Sequence, residues 1–439
     1  MEKPERIETF HITTFGCQMN LADSSTLAAA MINRGYRRVT SESEADLIVL
    51  NTCSVREKAE TRVLGRLGEL SRLKQKNPHL RLAVVGCMAQ RLGSQLLEQA
   101  PYVDYVLGTD RVFDLPDVVR NSNGSQTILT TLGRENIDTI TPIKETPFSG
   151  FVTISRGCDN YCSYCIVPYV RGKERAHSAD FIIDSIKKMV ADGVVEITLL
   201  GQNVNSYSCD GTDFPALLER AARETDVRRL RFMTSHPKDL SRKLVDVMAG
   251  QPKVMPHVHL PLQAGSDRIL ERMGRVYTTE HYLEIIDYIR SKLDYVCLTT
   301  DLLVGFPGET EQEFEMTLKM VEQIGFDSAF MFRYSVRPGT AAARYDDDVT
   351  EHEKIRRLNK LIELQNLVSR RRNHRELDQV RLSLVEGTSR RDKTVMRGRT
   401  EGNKTVLFEA NNVAAGEIVP VRITTADAFT LHGSIEEDS

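Results

Sequence analysis

Residues 1 to 145 alternate short apolar runs with longer mixed stretches. "FHITTFG", "DLIVLNT" and "RLAVVG" are rich in β-branched residues and predict buried strands, each followed by a helical pattern such as 55–75 or 90–99. Such alternation predicts a parallel α/β sheet. Residues 122 to 149 break the pattern, because "NSNGSQT" and "TPIKETPFSG" bring turn residues and prolines. Between 148 and 342 the alternation resumes, with strands predicted at 151–156, 195–200, 229–234, 257–262, 297–303 and 328–335. Six βα units predict an open, partial (β/α)6 barrel rather than a closed ring of eight. Beyond 375 the apolar runs shorten to "VRLSLVEG", "KTVLFEA", "EIVPVRITTA" and "TLHGSI", which predict a small antiparallel β-barrel. The chain therefore divides into an α/β domain at 8–146, a partial barrel with a basic helical linker at 147–374, and a β-barrel at 375–437.

A chain of 439 residues agrees with about three domains. Composition adds the setting: 41% hydrophobic and 27% charged residues are ordinary for a soluble protein, and no apolar run reaches the ~18 residues of a membrane span. The start, "MEKPERIETF", lacks the apolar core of a secretory signal, so a cytoplasmic location without membrane contact is expected. Eight cysteines in a reducing compartment then predict metal binding or catalysis rather than disulfides.

Three of those cysteines, Cys17, Cys53 and Cys87, each follow one of the first three predicted strands. Open parallel sheets bind ligands beyond the carboxyl ends of their strands, so the three thiols can converge there. Each taken singly could be a small buried hydrophobe; three at equivalent positions predict a metal or cluster site. A second set, Cys158, Cys162 and Cys165, stands in "SRGCDNYCSYCI". A structural zinc site wants four ligands, and the nearest later histidine, His177, lies twelve residues on. A 4Fe-4S cluster held by three thiolates keeps one iron open for a ligand. Cys209 and Cys297 stay unassigned. Polar residues near the ends of the barrel strands, Gln202, Asn203, Ser235, His236, Gln263, Asp301 and Arg333, are candidates for the same site, since that edge of a barrel carries its chemistry.

The spacing C-x3-C-x-aromatic-C, with Tyr164 in the aromatic place, resembles the radical S-adenosylmethionine (SAM) superfamily, whose partial barrel is also similar to the one predicted above. A preceding α/β domain with three more cysteines is similar to its methylthiotransferases. "GCQMN", "NTCSVREKAE", "GCDNYCSYCIVPYVRGKE", "LLGQNVNSY", "LPLQAGSD", "GFPGET" and "YSVRPGT" agree with that family over roughly residues 10 to 345. "TFGCQMN" and "NTCSVREKAE" resemble its MiaB-type branch, which modifies N6-isopentenyladenosine at tRNA position 37, next to the anticodon. Other branches act on threonylcarbamoyl-adenosine or on an aspartate of a small-subunit ribosomal protein.

The resemblance implies two 4Fe-4S clusters, a SAM-binding one on Cys158, Cys162 and Cys165 and an auxiliary one on Cys17, Cys53 and Cys87. It also implies two SAM molecules per turnover, one methylating a sulfur at the auxiliary cluster and one yielding the radical that takes hydrogen from adenine C2. Tyr164, Gln202, Asn203, Ser235, Gln263, Asp301 and Arg333 become candidate SAM contacts; the superfamily's usual Gly-Gly-Glu after the second strand is replaced by "GQN" at 201–203. An external donor such as flavodoxin or ferredoxin and a monomeric enzyme are expected.

Charge along the chain adds a partner. The net charge is only -3, yet between Lys354 and Arg399 fourteen Lys and Arg face five Asp and Glu, with "SRRRNHRE" at 369–376. Such a block can neutralise phosphates, although a solvated helix face would look the same. The β-barrel that follows is similar to the TRAM domain, a predicted RNA-binding module, and "RGRTEGNKTVLF" carries that likeness. The anticodon stem-loop of tRNA is thus the expected partner, with Arg370, Arg371, Arg372, Arg397 and Arg399 as candidate contacts. Two further classes stay open: an iron-sulfur electron-transfer protein, whose clusters would bind no SAM, and a non-catalytic RNA-binding protein, whose metal would be structural zinc.

Overall fold

The computed structural model describes residues 7–54, 57–122, 124–133, 138, 140–409 and 412–436, with only the backbone at 57–59. Val55 and Arg56 of the "NTCSVREKAE" stretch, Ala410 and Glu437 lie outside the described residues.

The first layer is a wholly parallel six-stranded sheet made of β1 (Thr9–Thr14), β2 (Arg37–Arg38), β3 (Leu47–Thr52), β4 (Arg81–Gly86), β5 (Tyr105–Leu107) and β6 (Thr127–Leu129), in the order β2-β1-β3-β4-β5-β6. The continuous apolar runs read in the sequence are buried on both faces: β3 is buried throughout, Ile48 and Leu50 toward one core and Leu47 and Val49 toward another. Helices α1 (Gln18–Asn33), α2 (Glu57–Lys76) and α3 (Cys87–Leu92) follow β1, β3 and β4. The single helical stretch expected at 90–99 is two short helices, because Gly93 at φ 52 turns the chain out of α3 before Gln95–Gln99 begins.

All six predicted barrel strands are present: β7 (Ser149–Thr153), β8 (Glu196–Leu200), β9 (Arg229–Met233), β10 (His257–His259), β11 (Cys297–Val304) and β12 (Ser328–Arg333). They form two parallel three-stranded sheets, β9-β8-β7 and β10-β11-β12, joined by a bridge between Leu230 and Val254 and by Ser235 N donating to His259 O. At the seam Met255 N still donates to Leu230 O, but His257 N turns back to Met255 O and the ladder to β9 lapses; β10 itself ends at His259, two residues before Pro261. The short helix α4 (Val167–Arg171) follows the three-cysteine loop, and α5 (Glu351–His374) closes the outside against the β12 side.

The last layer is a closed barrel of β13 (Val380–Thr388), β14 (Val395–Thr400), β15 (Thr405–Glu409), β16 (Ile418–Ala426) and β17 (Thr430–Ile435), in the order β13-β14-β15-β17-β16. It departs from the antiparallel expectation at one pair, β15 with β17, which runs parallel. This barrel stands against the strand starts of the larger one. Arg229 donates to the carbonyls of Arg399 and Leu382 at 3.0 and 2.8 Å, and Arg231 to those of Glu401 and Thr400 at 2.9 and 2.8 Å. Buried Lys404 binds Asp327 at 2.8 Å and Glu376 at 3.1 Å. The C-terminal barrel therefore closes the base of the partial one.

Candidate active site at the seam of two cysteine triads

Cys158, Cys162 and Cys165 lie in one loop hung from β7. Its path depends on Gly157, whose φ of +82° favours glycine and where a Cβ would meet the backbone oxygens of Lys173 and Gly172 at 2.0 and 2.5 Å. Cys158 N donates to Gly172 O and Cys165 N to Cys162 O, closing the loop on itself. Arg275, buried, donates from Nη1 to Cys162 Sγ at 3.6 Å and from Nη2 to Pro261 O at 3.1 Å. Burial pushes the Cys165 thiol up to about 12, and the neighbouring Cys162 adds to the rise. Tyr164 sets its ring edge-on to Phe306, and burial raises its phenol far above the ordinary value.

The other triad is assembled across the sheet. Thr52 pairs with Gly86, so Cys53 and Cys87 leave neighbouring strands at the same level. Cys17 is tied to them by Asn20, whose Oδ1 accepts from Cys17 N while its Nδ2 donates to Asn51 Oδ1 and Thr52 O. The asparagines of "GCQMN" and "NTC" thus lock the strand ends together. Gly16 is required beside them: at φ +146° a Cβ there would stand 2.7 Å from Cys53 Cβ. A hydrogen bond from Cys53 draws the Cys17 thiol down to about 6, with Arg171 adding to the effect, whereas burial raises Cys87.

The two triads meet at α4. Ile166 and Val170 pack on Cys87, so the residue after Cys165 touches the other triad. Arg171, 4% exposed, comes beside Cys17 and Cys87 while its Nη2 donates to Asp23 Oδ2 at 2.8 Å. Arg156 holds the other oxygen of Asp23 at 2.8 Å. Asp23 is completely buried, and the two guanidiniums keep its carboxyl below the usual carboxylate range against a desolvation penalty that is the larger single influence. None of these four charged side chains, Asp23, Arg156, Arg171 and Arg275, was singled out in the sequence. Asp23, Arg156 and Arg171 lie within six residues of a cysteine motif, close enough to have drawn notice, but charge reads by default as surface; Arg275, 110 residues after Cys165, carries no such signal.

The donor chemistry fits iron-sulfur clusters. Each triad offers three thiols, and no disulfide joins any of the cysteines. His177, the fourth ligand a zinc site would need, is engaged elsewhere: Nδ1 lies 2.6 Å from Asp138 Oδ1 and the ring stacks on Phe181. The rim beyond β7, β8 and β9 fits a polar cofactor. Both side-chain polar atoms of Gln202 and of Asn205, Asn203 Oδ1, Ser155 Oγ and Ser235 Oγ are buried without a partner among the described residues, and such groups call for water or a ligand to complete them. Asn203 Nδ2 donates to Asp239. His236 stays neutral, burial and Arg275 holding it down to about 2.

The other candidates fall differently. Gln263 sits at φ 68, with its N–H given to Asp301 O and its carbonyl accepting from Leu303 N. Asp301 lies in the interior of β11 instead of at its end, 3.5 Å from His259. Arg333 ends β12, exposed, and binds Glu351 at 2.6 Å.

Comparison with known proteins decides the family. The chain matches the model of Uncharacterized protein family UPF0004 over residues 9–108, the Radical SAM superfamily over 152–321 and the TRAM domain over 377–435. The protein named tRNA-2-methylthio-N(6)-dimethylallyladenosine synthase from Moorella thermoacetica is 45% identical over 436 residues, covering 98% of both chains. That of Carboxydothermus hydrogenoformans is 44% identical, over 97% of this chain and 99% of the relative. The chain belongs to this family of radical SAM enzymes. Membership brings a 4Fe-4S cluster and SAM as cofactors. Among solved structures, the radical S-adenosylmethionine methyltransferase TsrM from Kitasatospora setae shares the fold at TM-score 0.56 and 13% identity, covering 77% of each chain. No helix among the described residues is long and apolar enough to cross a membrane.

The basic segment, read as one RNA-binding block, is divided by the fold. Arg370 is exposed, and Arg371, also exposed, stands 3.6 Å from Glu322. Arg372 is drawn inward to Asp327, and Arg397 and Arg399 both clasp Glu386. Much of the local positive charge is therefore matched within the chain.

Proposed function

We propose that this chain is a tRNA methylthiotransferase that places a methylthio group on C2 of N6-isopentenyladenosine at position 37. The observation that carries this reading is the seam at α4, where Cys87 of one triad packs on the residue following Cys165 of the other. Cys158, Cys162 and Cys165 would hold the SAM-binding cluster, and Cys17, Cys53 and Cys87 a second. When bound, these groups supply one-electron cleavage of the SAM sulfonium at the first site and methylated sulfur at the second.

The protein supplies placement. Gln202, Asn203, Asn205, Ser155 and Ser235 present unmatched polar atoms suited to the amino-acid and ribose portions of SAM. The Asp23 pair with Arg156 and Arg171 holds the two domains at fixed separation. Burial of Asp23, Arg156 and Arg171 limits water at the seam, which protects reactive species from side reactions. The reading extends to an external flavodoxin- or ferredoxin-type electron donor, a cytoplasmic setting and a single chain as the working unit.

The test is nucleoside mass spectrometry of tRNA incubated anaerobically with reconstituted protein, SAM and dithionite. The expected product is 2-methylthio-N6-isopentenyladenosine, and recovery of unmodified isopentenyladenosine from active, SAM-cleaving protein would overturn the reading.

A further inference from the structure

The inner wall of β10, β11 and β12 has no part in holding the thiols. His259 pairs with Thr299 and Asp301 with Phe330 across parallel strands, so these four side chains share a face. The opposite face sends Leu298, Leu302 and Val304 into the core beneath the helices. On the inner face the Phe330 ring stands 6.0 Å from that of His259, nearly perpendicular, and the Asp301 carboxylate 3.5 Å from His259 Nε2. Phe330 is 51% exposed although it lies within a barrel strand. Barrel interiors are ordinarily filled by branched apolar side chains. A half-exposed phenyl ring beside a carboxylate is instead a surface with an apolar part and a hydrogen-bond acceptor, both open.

We propose that this wall reads the N6 substituent of the target adenosine, and that Phe330 and Asp301 favour a neutral, apolar substituent over one that carries a carboxylate. The inference rests on the tRNA methylthiotransferase reading and specifies its substrate. Phe330 offers a face to the purine or to a branched alkyl chain, as aromatic side chains do for splayed-out bases. Asp301 accepts the one hydrogen left on N6 of an alkylated adenosine. A carboxylate on the substituent would meet the Asp301 charge where the surrounding protein screens poorly. Two arginines of this part of the barrel are already engaged: Arg333 with Glu351, and Arg231, on the inner face nearer the base, with Glu196 and two carbonyls of the C-terminal barrel.

The test compares two synthetic anticodon stem-loops, one with N6-isopentenyladenosine and one with N6-threonylcarbamoyladenosine, on the same reconstituted preparation. The readout is the ratio of their kcat/KM values for methylthio product, so any change in SAM handling or in active fraction cancels. Wild type should favour the isopentenyl RNA. Phe330→Ala should lower that preference about tenfold or more, the scale of an altered apolar contact, with Phe330→Leu retaining part of it. Asp301→Asn should raise relative turnover of the threonylcarbamoyl RNA about tenfold. Should a variant be inactive, equilibrium binding of the two stem-loops gives the same ratio without turnover. An unchanged ratio in both Phe330→Ala and Asp301→Asn, or a wild-type preference for the threonylcarbamoyl RNA, overturns the proposal. Wild-type protein that cleaves SAM but methylthiolates neither RNA overturns the underlying reading instead.

Discussion

The two cysteine triads use the same residues by opposite routes. Cys158, Cys162 and Cys165 fall within eight consecutive residues, and their loop is shaped by local backbone, through Gly157 and the bond from Cys165 N to Cys162 O. Cys17, Cys53 and Cys87 exist as a group only when β1, β3 and β4 are paired in register. Their charged neighbours differ as well. Arg275 reaches Cys162 while bonding to Pro261 O and to the Tyr277 hydroxyl. Arg171 arrives at Cys17 and Cys87 already shared with Asp23 and Arg156. The contiguous motif thus takes its spacing from nearby backbone while distant segments hold it in place, as Ser163 N does in donating to Met273 O, whereas the dispersed one exists as a group only through the sheet.

The comparison breaks most visibly if each triad is removed in turn. With Cys158, Cys162 and Cys165 all changed to Ala, 5′-deoxyadenosine formation and methylthio product should both fall to background. With Cys17, Cys53 and Cys87 changed instead, SAM cleavage should persist while sulfur transfer is abolished. Iron per reconstituted chain should drop from about eight to about four in either case, by four irons per cluster. Methylthio product from the second variant at wild-type yield would reduce those cysteines to buried thiols.

Asp23 tests the dependence on fold. Asp23→Ala leaves Arg156 and Arg171 buried and unmatched, a loss of about 3–5 kcal/mol for breaking such a pair from one side. Urea unfolding of the cluster-free protein should show that loss. A change below about 1 kcal/mol would mean that water reaches the seam and that the domains are not held there.

Much of this was legible in advance, and the exceptions share a cause. The six barrel strands, the cysteine sets and the closing barrel follow from period, spacing and turn residues, which are local. Arg229 and Arg231 were not recognised as buried, although their alternation in "RLRFM" carried a signal: a central parallel strand has no solvent face, so charges on it must be matched by another part of the chain. The parallel pairing of β15 with β17 depends on long-range register that no short stretch encodes. The Asp23 network joins residues 133 and 148 positions apart, beyond any motif.

A smaller difference separates the thiols themselves. In cluster-free protein the Cys17 thiol, drawn to about 6 by Cys53, is mostly thiolate at neutral pH, and its alkylation by iodoacetamide should level off above about pH 7. Burial pushes Cys165 to about 12, so its rate should keep climbing through pH 9 and lie at least about a hundredfold lower at pH 7. Peptide mass spectrometry gives both rates from one sample, and parallel curves with midpoints near the ordinary thiol value would erase this contrast.

The smallest effect concerns three adjacent arginines, where contiguity does not give a common role. Arg370 and Arg371 are exposed at the end of α5, while Arg372 turns inward to Asp327. Deleting the C-terminal barrel would not isolate an RNA contribution, because it would strip the partners from buried Arg229, Arg231 and Asp327. Charge reversal of the exposed pair is the cleaner probe. Arg370→Glu with Arg371→Glu should leave the unfolding midpoint within about 0.5 kcal/mol, as surface changes do. The same change should reduce the slope of log affinity for tRNA against log salt by about one to two, roughly one for each phosphate no longer neutralised. Arg372→Glu should do the reverse, destabilising the fold with little change in slope for the protein that remains folded. An identical salt slope in wild type and in the reversed pair would place the tRNA backbone elsewhere on the molecule.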